Sequence, residues 1–334
     1  MLYWELRKTV NVVIVLAAVV LCAVWFFVCR LLFIGNYENV NGAIYRSYIA
    51  ELSGLTFEEQ REYIEAESAD IGGTLSAETE MRDKYFGGEI TDEEYLDYLD
   101  LLEDCKARNK TFAYVRNKFE RICEDQRLRF TYDLELEGHL TAMTADLPLI
   151  VMLLIVGCFV FIPDMPINPF IATCRNGRRK TFTAKLAAYF IICGIMIAAF
   201  NVSELAALFS KNLGDLSVPA ASMEAFDALD RDITSSALIA RTFLFRLLGE
   251  VTACAVFFAL SSRCQNHIAY FCSAASLVMI PAFFANFIPG FLRGVIVYYA
   301  LSGTSVLLDK TELAVMLGSL AWIAASFIFC KKPK

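Results

Sequence analysis

The chain has 334 residues, 57% of them hydrophobic and 20% charged. Soluble globular chains are less apolar, at about 45–50%, and more charged, at about 25%, so the composition argues against a cytosolic enzyme, a disordered chain and a small disulfide scaffold. The net charge of −7 hides two pieces of opposite sign: residues 36–146 hold 12 Lys+Arg against 26 Asp+Glu, and the rest holds 18 against 11.

An acidic polar insert thus interrupts a basic, very apolar chain. No large polar face is basic, so no nucleic-acid partner is expected. Val10 to Cys29 carries no charge, and the apolar run continues to Ile34. About 20 apolar residues cross a bilayer as a helix. This run exceeds the apolar core of a signal peptide and no Ala-x-Ala site follows it, so a retained anchor is expected. Further runs are Leu147–Pro163, Ala184–Phe209, Ala237–Leu260, Ile268–Ile288 and Leu313–Cys330. Pro281 and Pro289 bend or end the fifth of these six, because each removes a backbone donor. The expected fold is an all-α integral membrane protein of six transmembrane helices, with a helical extracytoplasmic domain inserted after the first span. Its parts are residues 1–35 (N-terminal segment and first span), 36–146 (acidic helical domain) and 147–334 (five spans).

The insert reads as two or three helices packed as a hairpin or short bundle. Thr56-Phe57-Glu58-Glu59 and Thr91-Asp92-Glu93-Glu94 fit capping boxes. Leu96, Leu99, Leu102, Phe112, Val115, Phe119 and Ile122 recur at helical steps. Cys105 and Cys123 on one continuous helix would stand about 27 Å apart, too far to bridge; a hairpin turning between them would allow it. The insert has one histidine, His139, and neither zinc nor calcium spacing, so no metal site is expected. Its carboxylates read either as a solvated helical face or as a gating or partner-binding surface. For a transporter, an acidic insert of this kind would favour cationic peptides among the substrates, which the sequence does not otherwise identify.

Lys and Arg in short loops mark the cytoplasmic side. Arg7 and Lys8, the cluster Arg175 to Lys185, Arg263, and Lys331, Lys332 and Lys334 all fall on one side if there are six spans. Both termini are then cytoplasmic in a multi-pass plasma-membrane protein. The acidic insert and the stretch from Asp215 to Asp232 face outward.

The cytoplasmic segment 164–183 has an internal order. Asp164 follows the second apolar run, and a short apolar piece, Phe170-Ile171-Ala172-Thr173, comes next. Asn176-Gly177 makes a break, Arg178-Arg179-Lys180 follows, and Lys185 stands where the third span opens. Such a piece can lie in the interface and present side chains to a cytosolic partner. This order resembles the loop of type-2 ABC exporter permeases, the ABC-2 family, with Gly177-Arg178 and Lys185 at the family's Gly-Arg and Lys positions. Asp164 stands in place of the usual Glu, and Pro166 and Pro169 depart from the pattern. The turn Ser261 to Asn266 resembles the family's connection between spans four and five, and the Gly-interrupted stretch Gly290 to Leu308 resembles its re-entrant piece.

The resemblance implies the permease subunit of an ATP-driven exporter, and the few Gly and Pro, the many Cys and the compact chain point to a bacterial inner membrane. Phe170, Ile171, Asn176, Gly177, Arg178, Arg179, Lys180 and Lys185 would couple to an ABC ATPase subunit. ATP and Mg would bind that partner, with no cofactor on this chain, and two permeases would pair as a homo- or heterodimer. The residues agree in lacking a phosphate-binding Gly-x-x-x-x-Gly-Lys-Ser/Thr loop, a Gly-x-Ser-x-Gly elbow and a His-Glu-x-x-His helix, so no catalytic residue is expected. The alternative is a membrane-anchored receptor or surface-interaction protein acting through the acidic ectodomain. Glu204, Arg241, Arg246 and Glu250 fall within apolar runs, where ionisable residues face a partner or a cavity. Glu204 and Arg241 stand at similar depth and read as a cross-helix pair, with Arg246 and Glu250 on one face of the fourth span.

Overall fold

A computed structural model describes residues 2–9, 12–32, 40–142, 147–160, 177–264, 266–280, 301 and 303–330. The described residues are helical and contain no strand, only an isolated bridge between Pro219 and Thr234. The helices are α1 (Leu2–Thr9), α2 (Val12–Leu31), α3 (Gly42–Leu52), α4 (Phe57–Ser76), α5 (Glu78–Phe86), α6 (Asp92–Glu124), α7 (Leu134–Ala142) and α8 (Leu147–Val160). There follow α9 (Gly177–Phe209), α10 (Ser235–Ser261), α11 (His267–Ala274), α12 (Thr304–Leu308) and α13 (Glu312–Cys330). They form two compact units.

The first unit comprises residues 1–33, 139–211 and 237–334. Among the described residues five helical runs are long and apolar enough to cross a membrane: Ile14–Leu31, Leu134–Val160, which takes in α7 and α8, Lys180–Phe209, Ser235–Ser261 and Glu312–Cys330. A shorter apolar helix covers His267–Val278, its last turn widened to a π-helix over Ala275–Met279. The rest of the expected fifth span, with Pro281, Pro289 and Gly290 of the expected re-entrant piece, lies outside the described residues, as does 161–176.

The core of this unit is built on α8, whose side chains are buried on most sides, and on the facing sides of α9 and α10. α2 packs along α9, its Trp25 ring stacked 5.1 Å from Phe200, and Ser203 donates to the Cys22 carbonyl at 2.7 Å. Gly157 allows α8 and α11 to close: a Cβ there would fall 2.1 Å from the Tyr270 hydroxyl. By contrast α2 and α13 leave Val19, Val20, Phe27, Leu317 and Ile328 exposed, the all-round apolarity that a lipid-facing helix needs.

The second unit comprises residues 34–138 and 212–236. Four helices, α3 to α6, make most of it. Both expected capping boxes are present. Glu59 accepts from the Thr56 amide at 2.8 Å, and Glu94 accepts from the Thr91 amide at 2.8 Å. α6 is one unbroken helix of 33 residues. Cys105 and Cys123 both lie on it and are free, because the hairpin turn that a bridge would need is absent. The second half of the expected apolar stripe is buried, with Phe112, Val115, Phe119 and Ile122 against Tyr48, Leu52 and Ile64. The first half departs from expectation. Leu102 is buried, but Leu96 is 60% and Leu99 38% exposed. Tyr98 and Cys105 take the inward places, because the helix is phased so that they meet Thr74 and Ile71.

Residues 212–236 close the second unit through two short 3-10 turns, Ala220–Ser222 and Glu224–Phe226. Arg121 of α6 donates to the Ala221 carbonyl at 2.6 Å and to Asp227 at 2.8 Å. Arg231 reaches Asp125 at 3.2 Å. Glu137 is buried and accepts from the Ala225 amide at 2.7 Å. Gly214 has φ +64° and lies against the chain at Thr131 and Tyr132.

Candidate functional site: a charge cluster among the apolar helices

Ionisable groups are costly among apolar helices unless something fixes them there. In the first unit, Glu204 of α9 and Arg246 of α10 are fully enclosed, at 0% and 1% exposure. Arg246 Nη1 and Nη2 donate to Glu204 Oε1 and Oε2, each at 2.7 Å. The planar guanidinium matches a carboxylate in this two-pronged way, which a Lys cannot do. One turn away on each helix, the Asn201 amide donates to both oxygens of Glu250, at 3.1 and 2.9 Å. Two polar rungs, 204–246 and 201–250, therefore tie the antiparallel helices α9 and α10.

Three further elements complete the first rung. The Trp25 indole of α2 donates to Glu204 Oε2 at 3.2 Å. His139 of α7 is fully buried, with Nε2 3.4 Å from Glu204 Oε1 and Nδ1 3.4 Å from Lys211 Nζ. An ammonium has only donors. Lys211 therefore requires Nδ1 to accept, which leaves the proton of a neutral imidazole on Nε2, facing Glu204. Gly303 abuts Arg246: a Cβ there would fall 2.4 Å from the Thr242 carbonyl and 3.0 Å from Arg246 Cγ. Thr304 then donates to the Leu140 carbonyl at 3.0 Å. The cluster thus gathers α2, α7, α9, α10 and the turn before α12.

The sequence-expected residues divide among these places. Glu204, Arg246 and Glu250 lie in the two rungs. Arg241 does not pair with Glu204: it is exposed on α10, and Arg246, five residues on, takes the place because it stands on the face turned to α9. Gly177, Arg178 and Arg179 open α9, Lys180 is exposed on its first turns and Lys185 is buried. Phe170, Ile171 and Asn176 lie outside the described residues. Sequence reasoning missed Trp25, His139, Asn201 and Lys211. His139 sits in the polar run Glu135-Leu136-Glu137-Gly138, which made it look like part of the insert.

The second unit has a buried ion pair of its own. Lys118 and Asp133 touch, Lys118 Nζ also donates to the Thr131 carbonyl at 2.9 Å, and the Tyr45 hydroxyl donates to Asp133 at 2.8 Å. Burial, reinforced by the Asp133 charge, holds the Tyr45 pKa well above its ordinary value. Nearby, burial and the Glu67 carboxylate push the Tyr48 pKa up to about 12.

Among the described residues no three His, Cys, Asp or Glu side chains gather in a way that could hold a metal ion. The charge cluster offers a carboxylate locked to a guanidinium rather than a nucleophile beside a base. Its chemistry is that of a buried ionic contact between helices. The chain matches no family model, no curated protein and no solved structure.

Proposed function

We propose that the chain is the permease subunit of an ABC-2-type exporter, with both termini in the cytoplasm and ATP hydrolysed by a separate subunit. The supporting observation is α9. It runs without a break from Gly177-Arg178, the motif residues of the cytoplasmic loop, to Asn201 and Glu204 of the polar rungs. At 1.5 Å per residue its 33 residues span about 50 Å, well beyond the roughly 30 Å of a hydrocarbon core. Its first turns would therefore project as a rod on which a partner ATPase pushes. A rigid helix delivers that push to the α9–α10 contact. The 204–246 and 201–250 rungs are the polar contacts on which that push would act.

The composition of the second unit supports the topology. Residues 34–138 and 212–236 fold together, so the chain between them crosses the membrane an even number of times. Two crossings, one through α7 and α8 and one through α9, satisfy this. With Ile14–Leu31, Ser235–Ser261, a fifth span begun by His267–Val278, and Glu312–Cys330, the total is six.

Affinity purification of the tagged chain in mild detergent tests the assignment. A stoichiometric ATPase with a phosphate-binding loop should co-elute. The R178E/R179E chain should insert normally yet lose that partner and all transport. Recovery of the wild-type chain with no ATPase would refute the assignment.

A further inference from the structure

We infer that the outward face of the first half of α6 is a docking surface for a basic amphipathic helix, a peptide or protein segment carrying Lys or Arg beside an apolar stripe. On this face Leu96 and Leu99 are exposed, one turn apart, although helix packing requires only the opposite side, with Tyr98, Leu102 and Cys105. Around the two leucines stand Asp97, Asp100, Glu103 and Asp104, all exposed. Asp100 is three residues from Asp97 and from Glu103 and four from Asp104, spacings at which like charges repel on a helix. Asp92, Glu93 and Glu94 suit the positive end of the helix dipole, but that effect fades after the first turn and does not account for these four.

Several carboxylates elsewhere in the second unit have cations. Glu58 meets Arg61, Glu80 meets Lys84, Glu67 meets Arg108 and Asp227 meets Arg121. Among the described residues none of Asp97, Asp100, Glu103 or Asp104 is in ion-pair contact with a Lys or Arg. The face therefore interleaves two exposed leucines with four carboxylates that have no ion-pair partner among the described residues. A second copy would present the same charges and be repelled, as would an anionic membrane surface. A basic amphipathic helix complements both parts, its apolar stripe covering the leucines and its cations relieving the carboxylates. This stands apart from transport, since binding is read on the purified chain whether or not it moves a substrate.

The test uses the full chain in nanodiscs of uncharged phosphatidylcholine. The probe is a fluorescent 15-residue amphipathic peptide of Leu and Lys, followed by anisotropy with empty-disc binding subtracted. A second peptide keeps the Lys and replaces every Leu by Ser. The Leu/Lys peptide should saturate at one per chain, with an affinity that falls as salt rises. D97N/D100N/E103Q/D104N should weaken it by about tenfold or more, and L96S/L99S should weaken it about tenfold while leaving the Ser/Lys peptide unchanged. E62Q/E65Q/E120Q/E124Q, four exposed carboxylates elsewhere in the unit, should leave it unchanged. Equal weakening by that control, equal binding of the two peptides, or no binding above empty discs would each overturn the inference.

Discussion

Arg246 and Glu204 meet as a fork on a fork, two bonds of 2.7 Å with neither side chain reaching solvent. A buried pair of this kind adds little net stability, but removing one partner strands the other charge, at a cost of about 3–5 kcal/mol. R246L or E204L alone should lower the thermal unfolding midpoint of the detergent-solubilised chain strongly. R246L/E204L together should cost much less than the sum of the two. R246K, which keeps the charge but loses the fork, should fall between wild type and R246L. Additive single and double effects would show that the pair is not coupled.

Lys118 and Asp133 pose the same question in the second unit, with Tyr45 as a third member. K118M should leave Asp133 buried without its cation and destabilise this unit by about 3–5 kcal/mol, and K118M/D133L should recover most of the loss. Hydrogen exchange read on peptides from α3 and from the second half of α6 reports this unit without interference from the apolar helices. Unchanged protection in K118M would show that Thr131 and Tyr45 alone suffice.

Much of this architecture is legible in the sequence because it rests on local chemistry. Thr-x-x-Glu at Thr56 and Thr91 marks two helix starts through a contact three residues long. The long apolar runs mark the candidate spans by length and composition alone. What was not legible is rotational phase and long-range pairing. Arg241 and Arg246 look equivalent until the face of α10 turned to α9 is known. Leu96 and Leu99 fit a helical stripe with Leu102, yet Tyr98 and Cys105 fill the inward side. Residues 212–236 show no sequence sign of joining a unit whose other part ends about 70 residues earlier.

The contacts that hold residues 212–236 have a defined pH response. Arg121, and secondarily Arg231, keep the Asp227 pKa below its ordinary value, and Arg127, with Arg231 adding, does the same for Asp125. A carboxylate with a depressed folded-state pKa contributes stability above its unfolded value, near 3.9, and loses it as pH falls through the lower folded value. Protection of amides in 219–231, corrected for intrinsic exchange, should hold from pH 7 down to about 5 and fall below about 4. In R121L this pH dependence should shrink, and protection should be lower even at pH 7. A fall in protection already between pH 7 and 5 would point to groups other than Asp125 and Asp227.

Gly214 is a steric test of the same segment. Its φ of +64° is unfavourable for other residues, and a Cβ would come within 2.4 Å of the Tyr132 carbonyl. G214A should cost about 1–3 kcal/mol of backbone strain plus the clash. The loss should appear as accelerated exchange in 212–218 and around Thr131. Wild-type exchange in G214A would mean that the turn relaxes without loss.

The joining of 34–138 with 212–236 also sets an order of events during synthesis. The insert lacks its closing segment, and with it Ala221 of its core and the partners of Arg121 and Glu137, until 98 more residues beyond Gly138 have been made. At ordinary elongation rates that is a wait of roughly 5–20 s. During this interval two long apolar segments emerge from the ribosome while the helical bundle still lacks its closing part. A chaperone that tends that bundle, or a pause after residue 236, would act on the biogenesis of this protein before any question of its activity arises.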